Sequence, residues 1–287
     1  MSAAGLSSHP GTADIVLLHG WGMTPAVWAP IESLLGERRS VALPLPGHAG
    51  ATPAPAGEVA AWSGRLATQL PPATTLVGWS LGAMLALDLA RRAPERVARL
   101  VLIGGTARFV ADDAPAPDTW PGLAPATVEA FRAGFARDPH ATLKRFLALQ
   151  CLGEPDRRGV QTRLGAALTP LDAPEHREKD SSPSAAPATG EPQTNPACAA
   201  LADGLTVLAC TDLRATLSTL PVPSLWLGGR RDLLVPTKAM QASAAVTPQA
   251  TFVEIAGGGH APFLGHADRV AADVDRFMQA LPLGATA

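Results

Sequence analysis

Short apolar runs that end in glycine or proline, separated by stretches with helical spacing, set the pattern of this chain. Ile15-Val16-Leu17-Leu18 is partly β-branched and stops at His19-Gly20, which predicts a buried strand running into a glycine-rich loop. Val41-Ala42-Leu43 predicts a second strand, ended by Pro44, Pro46 and Gly47, and the residues from Ala26 to Leu35 between the two have helical spacing. Thr74-Thr75-Leu76-Val77 predicts a third strand, followed at once by a helix from Leu81 to Ala93 that Pro94 stops. Arg99 to Ile103 predicts a fourth. Ser224 to Leu227 and Thr251 to Ile255 predict two more, each with helical sequence after it, and Asp268 to Leu281 closes the pattern as an amphipathic helix. Strands alternating with helices predict the α/β class, with a mostly parallel central sheet covered by helices on both faces.

The alternation breaks between Arg108 and Thr219. Strand-like runs disappear there, and helical ones take over at Ala124 to Ala136, Pro139 to Leu152 and Asp156 to Leu168. The expected organisation is therefore a core of residues 1–107 and 220–287 with a helical cap, residues 108–219, inserted over the site. Within the insertion, Asp172 to Pro196 is rich in Pro, Ala, Ser, Thr and charge and nearly free of large apolar residues. Such a stretch cannot bury enough surface to offset its ordering entropy, so a mobile loop is expected over 172–196.

Composition narrows the function classes. The 287 residues are 47% hydrophobic and carry a net charge of −2, which gives no global attraction to nucleic acid or to an anionic membrane. The first ten residues lack a basic segment followed by an apolar one, and no apolar run approaches the roughly 20 residues needed to span a bilayer. Cys151, Cys198 and Cys210 have neither metal-ligand nor paired spacing. A cytoplasmic monomer without metal or organic cofactor, bound neither to membrane nor to nucleic acid, is expected.

The chemistry is carried by Gly78-Trp79-Ser80-Leu81-Gly82, which sits between a predicted strand and a predicted helix. That is the nucleophile elbow of an α/β-hydrolase fold: the turn is so sharp that positions two before and two after the serine must lack bulk. Ser80 is the expected nucleophile, and a serine hydroxyl needs a base that is itself oriented by an acid. His260 follows the last strand in Gly257-Gly258-Gly259-His260-Ala261-Pro262, where active-site residues of parallel sheets gather, and is the expected base. Asp232, in Leu227-Gly228-Gly229-Arg230-Arg231-Asp232, is the expected orienting acid. Its flanking arginines leave open a surface ion pair instead, with Asp203 and Asp212 as other candidates. His19-Gly20-Trp21-Gly22 and the elbow place the Trp21 and Leu81 N–H groups as oxyanion donors. Trp21 and Trp79 flank the nucleophile and are expected, with Leu81, to wall an apolar acyl pocket. A serine rather than an aspartate at position 80 excludes the dehalogenase and epoxide-hydrolase chemistries of this fold.

Further motifs carry a resemblance. His19-Gly20-Trp21-Gly22-Met23, Trp28, Leu45-Pro46-Gly47-His48-Ala49, the Ser80 elbow, Arg145-Phe146-Leu147-Ala148-Leu149-Gln150, Thr211-Asp212-Leu213-Arg214 and His260-Ala261-Pro262-Phe263 resemble the pimeloyl-acyl-carrier-protein methyl ester esterase family of biotin synthesis. The stretch 172–196 is longer than expected of that family. The resemblance implies cleavage of the methyl ester of a pimeloyl chain held on acyl-carrier protein, with Phe146 contacting the acyl chain and basic cap residues docking the carrier. Between residues 130 and 170 seven basic side chains face three acids, so the segment is +4 and the remainder of the chain −6. Such a patch steers an acidic partner. Arg145, Arg158 and Arg163 are the preferred contacts. A broad short-acyl carboxylesterase, a C–C bond hydrolase with the same triad, and a non-catalytic binding module on this fold stand as alternatives.

Overall fold

The computed structural model describes residues 14–55, 57–112, 114, 119–171 and 195–280. Six strands form one sheet: β1 (Ile15–Leu18), β2 (Ser40–Leu43), β3 (Thr74–Trp79), β4 (Val97–Ile103), β5 (Ser224–Gly229) and β6 (Ala250–Ile255), in the order β2-β1-β3-β4-β5-β6. Every adjacent pair is parallel. The sheet is doubly covered, and its alternation shows how. Val16, Leu18, Leu76, Leu100, Leu102 and Trp226 pack into one cluster with α2 (Val59–Ala67), α3 (Leu81–Arg92) and Met240 of α9 (Thr237–Ala245). Ile15, Leu17, Val77, Trp79, Val101, Ile103, Leu225 and Leu227 pack into a second, with α1 (Ala29–Glu32), α10 (Pro262–Gly265) and α11 (Ala267–Ala280). Successive side chains of a strand point to opposite faces, so strands buried on both faces read as continuous apolar runs.

Between β4 and β5 come α4 (Pro125–Arg137), α5 (Pro139–Gln150), α6 (Arg157–Ala166), α7 (Pro196–Cys210) and α8 (Arg214–Leu217). Three of these helices are started by side chains. Asp138 accepts from the Ala141 N–H, Asp156 from Gly159 and Asn195 from Ala197, each at 2.9 Å. Each cap satisfies one of the amide donors that a helix start leaves unpaired. The chain leaves and rejoins the core side by side. Arg108 bridges Asp212 at 3.1 Å, and Arg214 pairs with both Asp212 (2.7 Å) and Asp112 (2.6 Å).

Three helices, α2, α7 and the single-turn α8, do not follow from periodicity. The helical spacing from Ala26 to Leu35 becomes a 3₁₀ turn at Pro25–Trp28 and the single turn of α1, because Pro25 and Pro30 each open a new start. The expected mobile loop lies outside the described residues over 172–194, while Asn195 and Pro196 belong to the start of α7. Among the described residues no helix is long and apolar enough to cross a membrane.

Candidate active site

Parallel strands bring their carboxyl ends to one edge of the sheet, and the chemistry-bearing residues sit on the loops that leave it. Ser80 follows β3 directly and occupies a left-handed conformation, with φ of 57° and ψ of −118°. A non-glycine residue holds such a conformation only where its surroundings over-determine it. Here the Ser80 N–H donates to the Ile103 carbonyl at 2.9 Å, and α3 begins with the next residue. The flanking glycines are required by contact. A Cβ at position 78 would sit 2.6 Å from the Ala83 Cα, and one at 82 would sit 2.6 Å from the His19 carbonyl oxygen.

His260 and Asp232 are brought to Ser80 from the ends of β6 and β5. The Ser80 Oγ lies 3.0 Å from His260 Nε2, and His260 Nδ1 lies 2.8 Å from Asp232 Oδ2. The second carboxylate oxygen of Asp232 accepts the Leu234 and Val235 N–H groups at 2.8 and 2.9 Å, so the acid is held from both sides. All three residues are buried, with Ser80 and Asp232 at 6% exposure. The surface ion-pair alternative for Asp232 is excluded, since Arg230 pairs with Glu254 and Arg231 reaches the Gly153 carbonyl. Asp212 is engaged by Arg108 and Arg214, and Asp203 lies on α7.

The loop after β1 is pinned by two buried histidines. His19 Nε2 accepts the Leu45 N–H at 3.1 Å while Nδ1 lies 2.9 Å from the Gly20 carbonyl. His48 Nε2 accepts the Gly22 N–H at 3.2 Å while Nδ1 lies 3.0 Å from the Pro46 carbonyl. Accepting at one nitrogen and donating at the other is what a neutral imidazole does. Burial, aided by the neighbouring His48, pushes His19 down to about 3, and burial pushes His48 down to about 4. The loop approaches the nucleophile so closely that a Cβ at Gly20 would lie 3.3 Å from the Ser80 Cβ. Among the described residues the backbone N–H groups of Trp21 and Leu81 have no protein acceptor.

An apolar cavity of about 470 Å³ opens among α4, α5 and α7, lined by Phe109, Phe131, Phe146, Leu149, Leu208 and Leu234, with Arg145 at its wall. Of the four residues expected to wall the acyl site, Phe146 lines this cavity. Trp21 lies one layer behind, edge-on to Phe131 and Phe146 at 5.6 and 5.0 Å, its indole N–H donated to the Leu201 carbonyl. Leu81 and Trp79 are outside the lining. Trp79 packs on the other face of the sheet, against Phe263, and its indole N–H donates to the His260 carbonyl at 2.8 Å. The expectation of Trp79 as a pocket wall is thus corrected: it braces the backbone of the base, because odd positions of β3 face the α10–α11 layer.

Two residues of this region escaped sequence reasoning. Gln150, one helical turn beyond Phe146, is 1% exposed, and neither its amide oxygen nor its nitrogen has a partner among the described residues. Glu154 is buried at 6% exposure and accepts the Gly259 N–H at 2.5 Å. By sequence it counted against the basic patch, and its burial leaves that surface more positive. Lys144, Arg145, Arg157 and Arg158 are exposed without an ion pair among the described residues, whereas Arg163 donates to the Leu264 carbonyl at 2.9 Å and is partly committed to the core. Among the described residues no three His, Cys, Asp or Glu side chains cluster as a metal site.

The family described as alpha/beta hydrolase fold matches residues 15–267. The chain is 44% identical to a pimeloyl-(acyl-carrier protein) methyl ester esterase of Aromatoleum aromaticum over 88% of its own length and 93% of the relative's. It is 41% identical to an esterase of the same name from Xanthomonas campestris pv. campestris, over 93% of this chain and 96% of that one. Among solved structures, an esterase from Exiguobacterium antarcticum superposes with a TM-score of 0.72 at 17% identity, covering 94% of this chain and 93% of that chain, which bears on the fold alone. The chain belongs to the α/β-hydrolase family and, within it, to the family of the pimeloyl-(acyl-carrier protein) methyl ester esterases.

Proposed function

We propose that this protein is a serine carboxylesterase that cleaves the methyl ester of a pimeloyl chain carried on acyl-carrier protein, in biotin synthesis. The observation that carries the reaction type is the buried relay from Ser80 Oγ through His260 to Asp232, at 3.0 and 2.8 Å. The substrate class follows the relatives' names. A cavity of about 470 Å³ with an almost wholly apolar lining suits a short acyl chain, and lies within the roughly 300–1,000 Å³ of small-ligand sites.

His260 takes the Ser80 proton as Oγ attacks the ester carbonyl, and Asp232 stabilises the imidazolium that forms. The negative charge developing on the carbonyl oxygen rests on the N–H groups of Trp21 and Leu81. Each such donor is worth about 10²–10³ in turnover. His260 then protonates the departing methanol. Water deprotonated by His260 attacks the acyl-enzyme, and Ser80 leaves with the proton returned. Helices α4–α8 act as a cap that carries the acyl cavity. Phe146 contacts the chain, and Gln150 lies one helical turn beyond it on α5, with an amide that has no partner among the described residues. Arg145 and Arg158, exposed and without an ion pair among the described residues, present a positive surface to an acidic carrier. Arg163 contributes less, since its guanidinium is shared with Leu264.

The test is the specificity constant for methyl pimeloyl-acyl-carrier protein beside the same methyl ester without its carrier, at two salt concentrations. A strong preference for the carrier-bound ester that added salt erodes supports the reading. Equal rates for both esters at either salt would make the chain a general carboxylesterase and the cap arginines a solvated surface.

A further inference from the structure

The turn between α5 and α6 places a buried acid against the loop that carries His260. Glu154 Oε1 accepts the Gly259 N–H at 2.5 Å, and Gly259 is the residue immediately before the base. The packing leaves no room for a side chain at this position. A Cβ at Gly259 would come within 2.5 Å of the Leu152 carbonyl oxygen and 3.2 Å of Glu154 Oε1. The same turn is fastened to the core on two further sides. Arg231, next to Asp232, reaches the Gly153 carbonyl at 3.3 Å, and Arg163 of α6 holds the Leu264 carbonyl at 2.9 Å. The other carboxylate oxygen, Oε2, faces His266 Nε2 at 3.7 Å, and neither atom has a hydrogen-bond partner among the described residues.

We propose that Glu154 is a positioning residue of the esterase site: its carboxylate clamps the Gly259 backbone and thereby holds the His260 ring between Ser80 and Asp232. The inference rests on His260 being the base. Gly257-Gly258-Gly259 has no side chain to order it, and glycine loses more freedom on folding than any other residue. The core holds Gly258 through the Ile255 carbonyl and the Arg231 N–H, and the Gly259 N–H next to the base is held by the acid from the insertion. The titratable groups around the carboxylate are His266 from the α10–α11 corner, Asp232 from the loop after β5, and the Cys151 thiol on its own segment. Burial raises its pKa, and nearby Asp232 raises it further, while the Gly259 hydrogen bond and His266 work the other way. The clamp consequently couples the inserted segment to the loop of the base through a hydrogen bond.

The experiment compares Glu154→Ala, Glu154→Asp and Glu154→Gln on a free methyl ester, beside wild type and Ser80→Ala. Glutamine keeps an oxygen that accepts the Gly259 N–H but lacks the charge. Glu154→Ala is expected to lose 10-fold or more in kcat with KM within about two-fold, and to shift or broaden the downfield proton resonance of His260 Nδ1. Glu154→Gln is expected to keep kcat within about three-fold and to leave the His260 Nδ1 proton resonance in place, because its amide oxygen still accepts the Gly259 N–H. Glu154→Ala at the wild-type rate overturns the proposal, as does a Glu154→Gln enzyme as impaired as Glu154→Ala. If Glu154→Ala does not fold, Glu154→Asp serves, since its shorter side chain withdraws from Gly259. Wild-type kcat with an unmoved His260 proton in that variant overturns the proposal equally. Wild-type turnover in Ser80→Ala would instead end the reading of the site itself.

Discussion

At the scale of single residues, the site depends on groups held by more than one neighbour. Asp232 illustrates it: one oxygen faces His260 while the other takes two backbone N–H groups, so the acid cannot rotate away. Asp232→Asn keeps that shape but forces the wrong imidazole tautomer, and turnover is expected to fall by about 10⁴ with folding intact. Steady-state kinetics beside a thermal melt measures both. His19 and His48 make a different point, because they are neutral by construction. Their pKa values are lowered in the folded chain, to about 3 and about 4, so the unfolded chain binds more protons below its ordinary histidine pKa of about 6.5. The stability they contribute is therefore complete above about pH 6.5 and lost as pH falls toward 4. At pH 5 the loss is about 2 kcal/mol for each histidine. Urea midpoints at pH 8 and pH 5 test it: the decline should be smaller in His48→Gln than in wild type. Equal declines would mean that His48 does not carry the effect. The sequence displayed His19 and His48 in two glycine-flanked motifs, but nothing in their spacing showed that each props the loop between Gly20 and Gly22.

Among the elements, the elbow is the most sequence-determined. Gly78 and Gly82 were expected to lack bulk for the sake of the turn, and the structure gives each its reason: the first turn of α3 lies directly against Gly78, and Gly82 lies against the carbonyls at the end of β1. Gly82→Ala places a Cβ 2.6 Å from the His19 carbonyl oxygen and must push α3 off the sheet. The expected result is a stability loss of roughly 1–3 kcal/mol and a larger loss of activity, because α3 carries Leu81 and fixes Ser80. A conservative change elsewhere on α3 that loses the same stability and retains activity would separate the two effects. Elements without such punctuation were less legible. α7 buries Ala200, Leu201, Gly204, Leu205, Val207 and Leu208 and is apolar on most sides, so it shows no 3.6-residue alternation to read. α11, half exposed, shows it plainly, with Val270, Val274, Phe277 and Met278 inward.

For the whole molecule, the distribution of charge matters more than its sum. A chain of −2 carries +4 between residues 130 and 170, and the burial of Glu154 removes one of the three acids from that surface. Arg158→Glu should raise KM for a carrier-bound ester about 10-fold at low salt and leave a free methyl ester unaffected. An equal effect on both esters would mean the residue acts on folding or on the acyl site. The sequence by itself determined the doubly wound parallel sheet, the helical insertion after β4 and the three residues that meet as Ser80, His260 and Asp232. Those features are written locally, in apolar runs, in glycines at fixed offsets and in positions just past strand ends. Tertiary structure alone decided which face each tryptophan took, so that Trp21 backs the cavity while Trp79 holds the His260 carbonyl. It alone decided that Arg163 reaches the core and that Glu154 turns inward to Gly259, 105 residues away in sequence. Contacts of that separation follow from how the inserted helices pack on the sheet. No pattern within a single segment encodes that packing, because the energy of a buried polar contact depends on what the rest of the chain brings to meet it.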